Sequence, residues 1–187
     1  GQIGGSAVLT DCVPSKTLIA TSEAIDQAAA SGYLGVRIDG RPADRSVFSV
    51  DLATVNERIL ELAHAQSAGI RQHLEQAGVE IVHGRGTLTS EATIEVANDD
   101  ASWEITADTI LLATGARPRV LADAVPDAER ILSWEQIYQL DELPEHLIVV
   151  GSGVTGAEFA SAFHALGSTV TLVSSRDRVL PLSLIHI

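Results

Sequence analysis

Apolar residues change period along this chain, and the changes divide it. Residues 147–150 are four consecutive apolar side chains, which predict a buried strand. Behind them Ala157, Phe159, Ala160, Phe163 and Leu166 recur at helical spacing, and Thr169–Val173 predicts a second strand. Upstream, Val55, Ile59, Leu62, Ala63, Ile70 and Leu74 predict a long helix over 53–77, with Gly78 as its stop. Pro14 suits a first helical turn, and the Ala-rich stretch 17–30 continues that helix. Residues 31–52, with Gly32, Gly35, Gly40 and Pro42, predict a loop. The period then falls toward two. Residues 79–82 predict a short strand, and 93–97 with 103–106 predict an antiparallel hairpin turning at Asn98, Asp99 and Asp100. The continuous apolar run 109–113 predicts another buried strand, ending in the turn 114–118. Residues 119–146, with Pro126 and Pro144, predict a connector containing a short helix over 134–140. Helices alternating with buried strands predict an α/β fold.

The strand at 147–150 runs into Gly151-Ser-Gly153-Val-Thr-Gly156, and a helix follows. That order suits a dinucleotide-binding turn. The first glycine makes the tight turn, the second lets backbone approach a pyrophosphate, and the third lets the helix pack on the strand. The residue ending the second strand would meet the adenosine ribose. A carboxylate there selects NAD, whereas a small polar residue with a nearby Arg accommodates the extra phosphate of NADP. Ser174 and Arg176 hold those places, so NADP or dual use is expected.

Composition narrows the classes. A net charge of −13 argues against nucleic-acid partners, because a phosphate backbone would repel the chain. No apolar run approaches a membrane span. One cysteine excludes an internal disulfide, and a cytoplasmic compartment is expected. His64 and His73 lie too far apart on their helix to pair on a metal, and no metal is expected. Cys12 falls at a helix start, where the dipole favours a thiolate; a buried structural cysteine is the competing expectation. Lys16 falls one turn on, on the same side of the helix. The chain contains no Met and closes on an apolar tail, so an internal piece of a longer chain is expected, with 182–187 foreign to it.

Four ordered motifs carry a resemblance. Gly4-Gly5 leads to Cys12-Val-Pro-Ser-Lys16; a β-hairpin excursion follows; then come Ala113-Thr-Gly115-Ala-Arg-Pro118 and Gly151-Ser-Gly153-Val-Thr-Gly156-Ala-Glu158. From Gly4 to about Pro181 the chain resembles the flavoprotein pyridine nucleotide-disulfide oxidoreductases. The resemblance implies part of an FAD-binding Rossmann-like domain with a β-hairpin excursion over 1–118, a connector over 119–146, and the first half of an NAD(P)-binding Rossmann domain over 147–181. It implies FAD and NAD(P)H as cofactors. Gly4, Gly5, Ser6 and Ala7 would lie along FAD, Lys16 near the flavin, Gly86 at the adenine, and Thr114 and Gly115 at a further cofactor contact. Gly151, Ser152, Gly153, Val154, Thr155 and Gly156 would hold the NAD(P)H pyrophosphate. Glu158 would pair with Lys16 across the two domains as a buried charge pair, with Lys16, Glu158 and Cys12 as catalytic candidates.

The chain also departs from that family. Members with disulfide chemistry carry Cys-x-x-x-x-Cys, and here the first position is Ala7. One cysteine cannot cycle between dithiol and disulfide. The resemblance therefore implies hydride transfer from NAD(P)H to FAD and on to a quinone-type acceptor, in a full-length homodimer. A dihydrolipoamide dehydrogenase-like enzyme and a non-enzymatic nucleotide-binding remnant are the alternatives.

Overall fold

A computed structural model describes residues 2–180. The tail expected to be foreign, 182–187, lies outside the described residues. Three long helices carry the core. Helix α2 spans Cys12–Ala30, α3 Leu52–Gln76 and α4 Val154–Leu166; a short α1, Gly5–Leu9, precedes them. Their buried positions follow the helical period. On α3 these are Leu52, Asn56, Ile59, Ala63 and Ser67; on α4 they are Phe159, Ala162, Phe163 and Leu166. Leu18 of α2 joins them, as do Ile137 and Tyr138 from a single 3-10 turn, Gln136–Gln139. The connector therefore holds one tight turn where a short helix was expected over 134–140. Asn56 Nδ2 donates to the Leu140 carbonyl at 2.8 Å and ties α3 to that turn.

The ends of the helices are chemically marked. Asp51 accepts the Thr54 N–H at 3.0 Å and caps α3. Helix α4 stops at Gly167, whose φ of 114° places it in the left-handed region that glycine tolerates. Arg45, in a 3-10 turn Arg45–Val47, reaches that same end. Its Nε donates to the Ala165 carbonyl at 3.1 Å, a second nitrogen donates to the Leu166 carbonyl, and Nη1 donates to Phe48 at 2.7 Å. The segment 31–52 is thus more than a loop. It also holds a two-residue hairpin, β1 Arg37–Ile38 with β2 Arg41–Pro42.

Two further sheets form. Strands β3 Arg85–Leu88, β4 Thr93–Ala97 and β5 Ser102–Thr106 pair antiparallel in the order β3-β4-β5, one strand more than the predicted hairpin. Strands β6 His146–Val150 and β7 Thr169–Val173 pair in parallel, with Val150 opposite Val173. Helix α4 connects them and makes a βαβ unit. This is the α/β fold that the periods predict and the Rossmann-like arrangement that the resemblance implies. However, β6 is not the buried strand expected, with Ile148 and Val150 59% and 66% exposed on a two-stranded sheet.

Two expected strands are not formed. Residues 79–82 and 109–113 carry no strand pairing. Val79 and Val82 are exposed, as are Leu111 and Leu112, at 86% and 67%. A strand is defined by a ladder partner, and no described strand lies beside either run.

Candidate functional site

The turn between β6 and α4 is a glycine turn that opens onto an uncapped helix start. Gly151 has φ of 124°, and its N–H donates to the Val173 carbonyl at 2.9 Å. A Cβ on Gly156 would fall on the Gly151 carbonyl oxygen, so only glycine lets α4 start this close to the strand. A Cβ on Gly153 would meet nothing within 4 Å, which leaves the backbone open to an approaching group. Gly153 is also the N-cap, with no side-chain cap, and the first turn of α4 holds no acidic residue. The free N–H groups and positive dipole end of a 13-residue helix therefore face unobstructed space. These residues fit a pyrophosphate. A cavity of about 330 Å³ opens there, lined in part by Arg130, Trp134, Gly151, Gly153, Val154 and Thr155.

At the end of β7 the hydroxyls are already engaged. Ser152 is buried, and its Oγ lies 2.6 Å from Ser174 Oγ. Ser174 Oγ also accepts the Arg176 N–H at 3.1 Å. Arg176 itself is exposed beside the turn. Sequence spacing placed Ser174 and Arg176 here; the Ser152–Ser174 bond is an addition of the fold.

One turn into α4, Glu158 meets α2. Lys16 Nζ forms an ion pair with Glu158 Oε1. The expected buried pair is buried on one side only: the Glu158 side chain is 16% exposed and the Lys16 side chain 60%. Lys16 is largely in solvent, so desolvation falls mainly on the carboxylate. Glu158 Oε2 is buried without a protein partner.

The start of the chain bends at two places. Ser6 O accepts the N–H groups of Thr10 and Asp11, at 3.0 and 2.7 Å, and α1 ends at Leu9. Ala7 is exposed on α1; Cys12 is exposed as the first residue of α2. The expectation of a buried structural cysteine is therefore overturned. Gly4, with φ of 114°, has no room for a Cβ against Val8, and Gly5 has φ of 58°. Gly86 lies in β3, where a Cβ would come within 3.3 Å of Ile94 Cγ2, a tight cross-strand contact with a side-chain methyl. Thr114 and Gly115 sit in an irregular exposed segment. The structure thus joins Lys16 to Glu158 and gathers residues 151–156 with Ser174 and Arg176, while Gly86, Thr114 and Gly115 lie outside the α2–α4 junction. His64 and His73 are exposed on α3, and no group of three metal-ligating side chains forms among the described residues.

Sequence reasoning missed one residue of this junction, Tyr138. It is 3% exposed, and its ring lies 5.7 Å from that of Phe159 at an interplanar angle of 60°. Burial raises its hydroxyl pKa well above the ordinary value of 10, with the Asp11 and Glu158 carboxylates adding to the rise. The only signal in the sequence was its place beside Ile137, between two glutamines, in the segment expected to be helical.

The pattern of the pyridine nucleotide-disulphide oxidoreductases matches residues 2–184. The chain belongs to that family. It is 47% identical over 186 residues to a protein of Mycobacterium tuberculosis named NAD(P)H dehydrogenase (quinone), covering 96% of this chain and 37% of that one. It is 32% identical over 179 residues to the dihydrolipoyl dehydrogenase of Chlamydia pneumoniae, again covering 96% of this chain and 37% of that one. Among solved structures, LpdA from Mycobacterium tuberculosis superposes with a TM-score of 0.84 at 45% identity, over 96% of this chain and 38% of that one. The chain therefore spans well under half the length of these relatives. Enzymes of the pyridine nucleotide-disulphide oxidoreductase family use FAD and NAD(P)H. Among the described residues no helix is long and apolar enough to cross a membrane.

Proposed function

We propose that the chain is part of a flavoprotein that takes hydride from NAD(P)H and delivers two electrons to a quinone-type acceptor. The overall change is NAD(P)H plus a proton plus quinone giving NAD(P)⁺ plus quinol. The observation that carries this proposal is the Lys16–Glu158 ion pair, because it joins the helix bearing Cys12 to the helix that follows the glycine turn. The 47% identity to a quinone-acting dehydrogenase supports the acceptor class. Residue 7 supports it independently. Ala7 and Cys12 cannot form the dithiol that disulfide turnover requires, which disfavours the dihydrolipoamide alternative.

The chain's own residues divide the work. The N–H groups at the start of α4 would hold the NAD(P)H pyrophosphate, with Gly153 admitting it and Gly156 keeping α4 close to β6. Ser174 and Arg176, with no carboxylate at the end of β7, favour NADPH or dual use. Gly4, Gly5, Ser6, Ala7, Gly86, Thr114 and Gly115 are the proposed contacts to FAD. When bound, FAD supplies the two-electron carrier between nucleotide and acceptor. Lys16 would place a positive charge beside it, held there by Glu158, and so favour added electron density. Domain bounds of 1–118 and 147–181, a homodimeric full-length protein and a cytoplasmic location belong to the same proposal.

The test is turnover by the full-length protein with a soluble quinone and, separately, with a lipoyl disulfide. Quinone reduction without disulfide reduction is expected. Disulfide reduction without quinone reduction would overturn the proposal.

A further inference from the structure

Four buried side-chain oxygens have no protein partner among the described residues: Thr10 Oγ1, Ser15 Oγ, Tyr138 Oη and Glu158 Oε2. Three of them stand around the start of α2, and the fourth, Tyr138, feels the charges of Asp11 and Glu158. Thr10 precedes α2, and Ser15 lies in its first turn, 1% exposed. Glu158 reaches the same helix through Lys16. Tyr138 stands against Phe159, the next residue along α4 from Glu158. A buried carboxylate oxygen and a buried hydroxyl that make no direct bond are two of the two to four polar partners that a buried water needs.

We propose that Tyr138 is a positioning residue for Glu158: its hydroxyl, through a shared buried water, holds the carboxylate oxygen that Lys16 leaves free. The proposal rests on the role given above to the Lys16–Glu158 pair. Lys16 binds one oxygen only and keeps much of its own freedom, so it cannot alone fix the carboxylate plane. A second donor on Oε2 does fix it. Tyr138 suits that task because its ring cannot swing. It is packed on Phe159 in a core shared with Leu18, Ile137 and Phe163. Burial and the neighbouring carboxylates keep its hydroxyl protonated, so it remains a donor at every working pH.

Tyr138→Phe removes the donor and keeps the ring. The reading is anaerobic reduction of bound flavin by NADPH in the full-length protein, with no quinone present, together with the flavin midpoint potential. Tyr138→Phe is expected to slow flavin reduction about tenfold, the lower end of what losing a hydrogen bond to a charged group costs, and to make the potential more negative. In a Glu158→Gln background the same change is expected to add little, because the tyrosine acts through the carboxylate. Normal rate and potential in Tyr138→Phe would overturn the proposal, and so would effects that multiply fully in the double variant. A protein that reduces its flavin but not quinone would sink the proposed acceptor and leave this test intact. Should the full-length protein carry no flavin, ¹³C-tyrosine NMR decides. The Tyr138 Cζ signal in mixed H₂O and D₂O is expected to split, as a held hydroxyl requires, and to lose that splitting in Glu158→Ala. A splitting unaffected by Glu158→Ala would overturn the proposal.

Discussion

Replacing Arg45 by Ala removes a clamp that joins distant parts of the chain. Its guanidinium donates to the Ala165 and Leu166 carbonyls in the last turn of α4 and to Phe48 beside its own turn. The two α4 carbonyls carry the negative end of the helix dipole, so a fixed cation there is favourable by about 0.3–1 kcal/mol before any hydrogen bond is counted. Each hydrogen bond from a charged donor contributes roughly 1.5–3 kcal/mol when well buried, but Arg45 is only half-buried, and about 1 kcal/mol for each α4 contact is the proper scale. Arg45→Ala is therefore expected to cost about 2–3 kcal/mol. For a chain of this size that lowers the melting temperature by roughly 5–10 °C.

Arg45→Lys separates charge from geometry. Lysine keeps the cation at the helix end but has no planar fork to span two carbonyls, so it should recover less than half of the loss. Urea unfolding followed by far-UV circular dichroism measures both variants. An Arg45→Ala midpoint equal to wild type, or full recovery by lysine, would show that the clamp holds nothing or that only its charge matters.

Other expectations follow from the same geometry. Gly156→Ala puts a methyl on the Gly151 carbonyl oxygen, so α4 must move off β6; NADPH affinity by calorimetry should fall at least about tenfold, with a loss of stability on the order of 1–3 kcal/mol from overpacking. Cys12→Ser should leave quinone turnover within about twofold, since a lone exposed thiol completes no redox pair; a collapse in turnover would implicate Cys12 directly. Asp127 accepts the N–H groups of Glu129, Arg130 and Ile131, bonds that with its neighbours hold its pKa below the ordinary 3.8. Its contribution to stability is complete above the unfolded value and is lost as pH falls through the lower folded value. Asp127→Asn should therefore flatten the dependence of the urea midpoint on pH below about pH 4.

Much of this fold is legible because helices and the βαβ unit write their period locally. The stripe on α3 and the four apolar residues of β6 needed no distant information. The glycine turn was legible for the same reason: its three glycines act within six residues of one another. The strands expected at 79–82 and 109–113 illustrate the opposite case. Their composition is right for a strand, but pairing depends on a neighbour that no local pattern supplies. Arg45 was lost inside a segment that reads as a loop, since its acceptors lie 120 and 121 residues away. Tyr138 was lost because an aromatic beside Ile137 in an otherwise polar stretch predicts core at most, and its ring does occupy the core. Only its buried, unpartnered hydroxyl suggests the second role proposed above.

The direction of α4 explains why these features fall where they do. A helix presents unpaired N–H groups and positive potential at its start, and unpaired carbonyls and negative potential at its end. The glycine turn stands at the start, uncapped and free of acidic side chains, which is where the proposed pyrophosphate site falls. The cation Arg45 stands at the end, donating to the last carbonyls. Between them the helix must settle on one rotation, and Phe159, Phe163 and Leu166 fix it by facing the core. With that rotation set, Glu158 points across to α2, where Lys16 meets it. A change at Phe159 or Tyr138 should therefore disturb the Lys16–Glu158 pair without touching either charge, whereas a change at Arg45 should loosen α4 as a whole and weaken dinucleotide binding and the ion pair together.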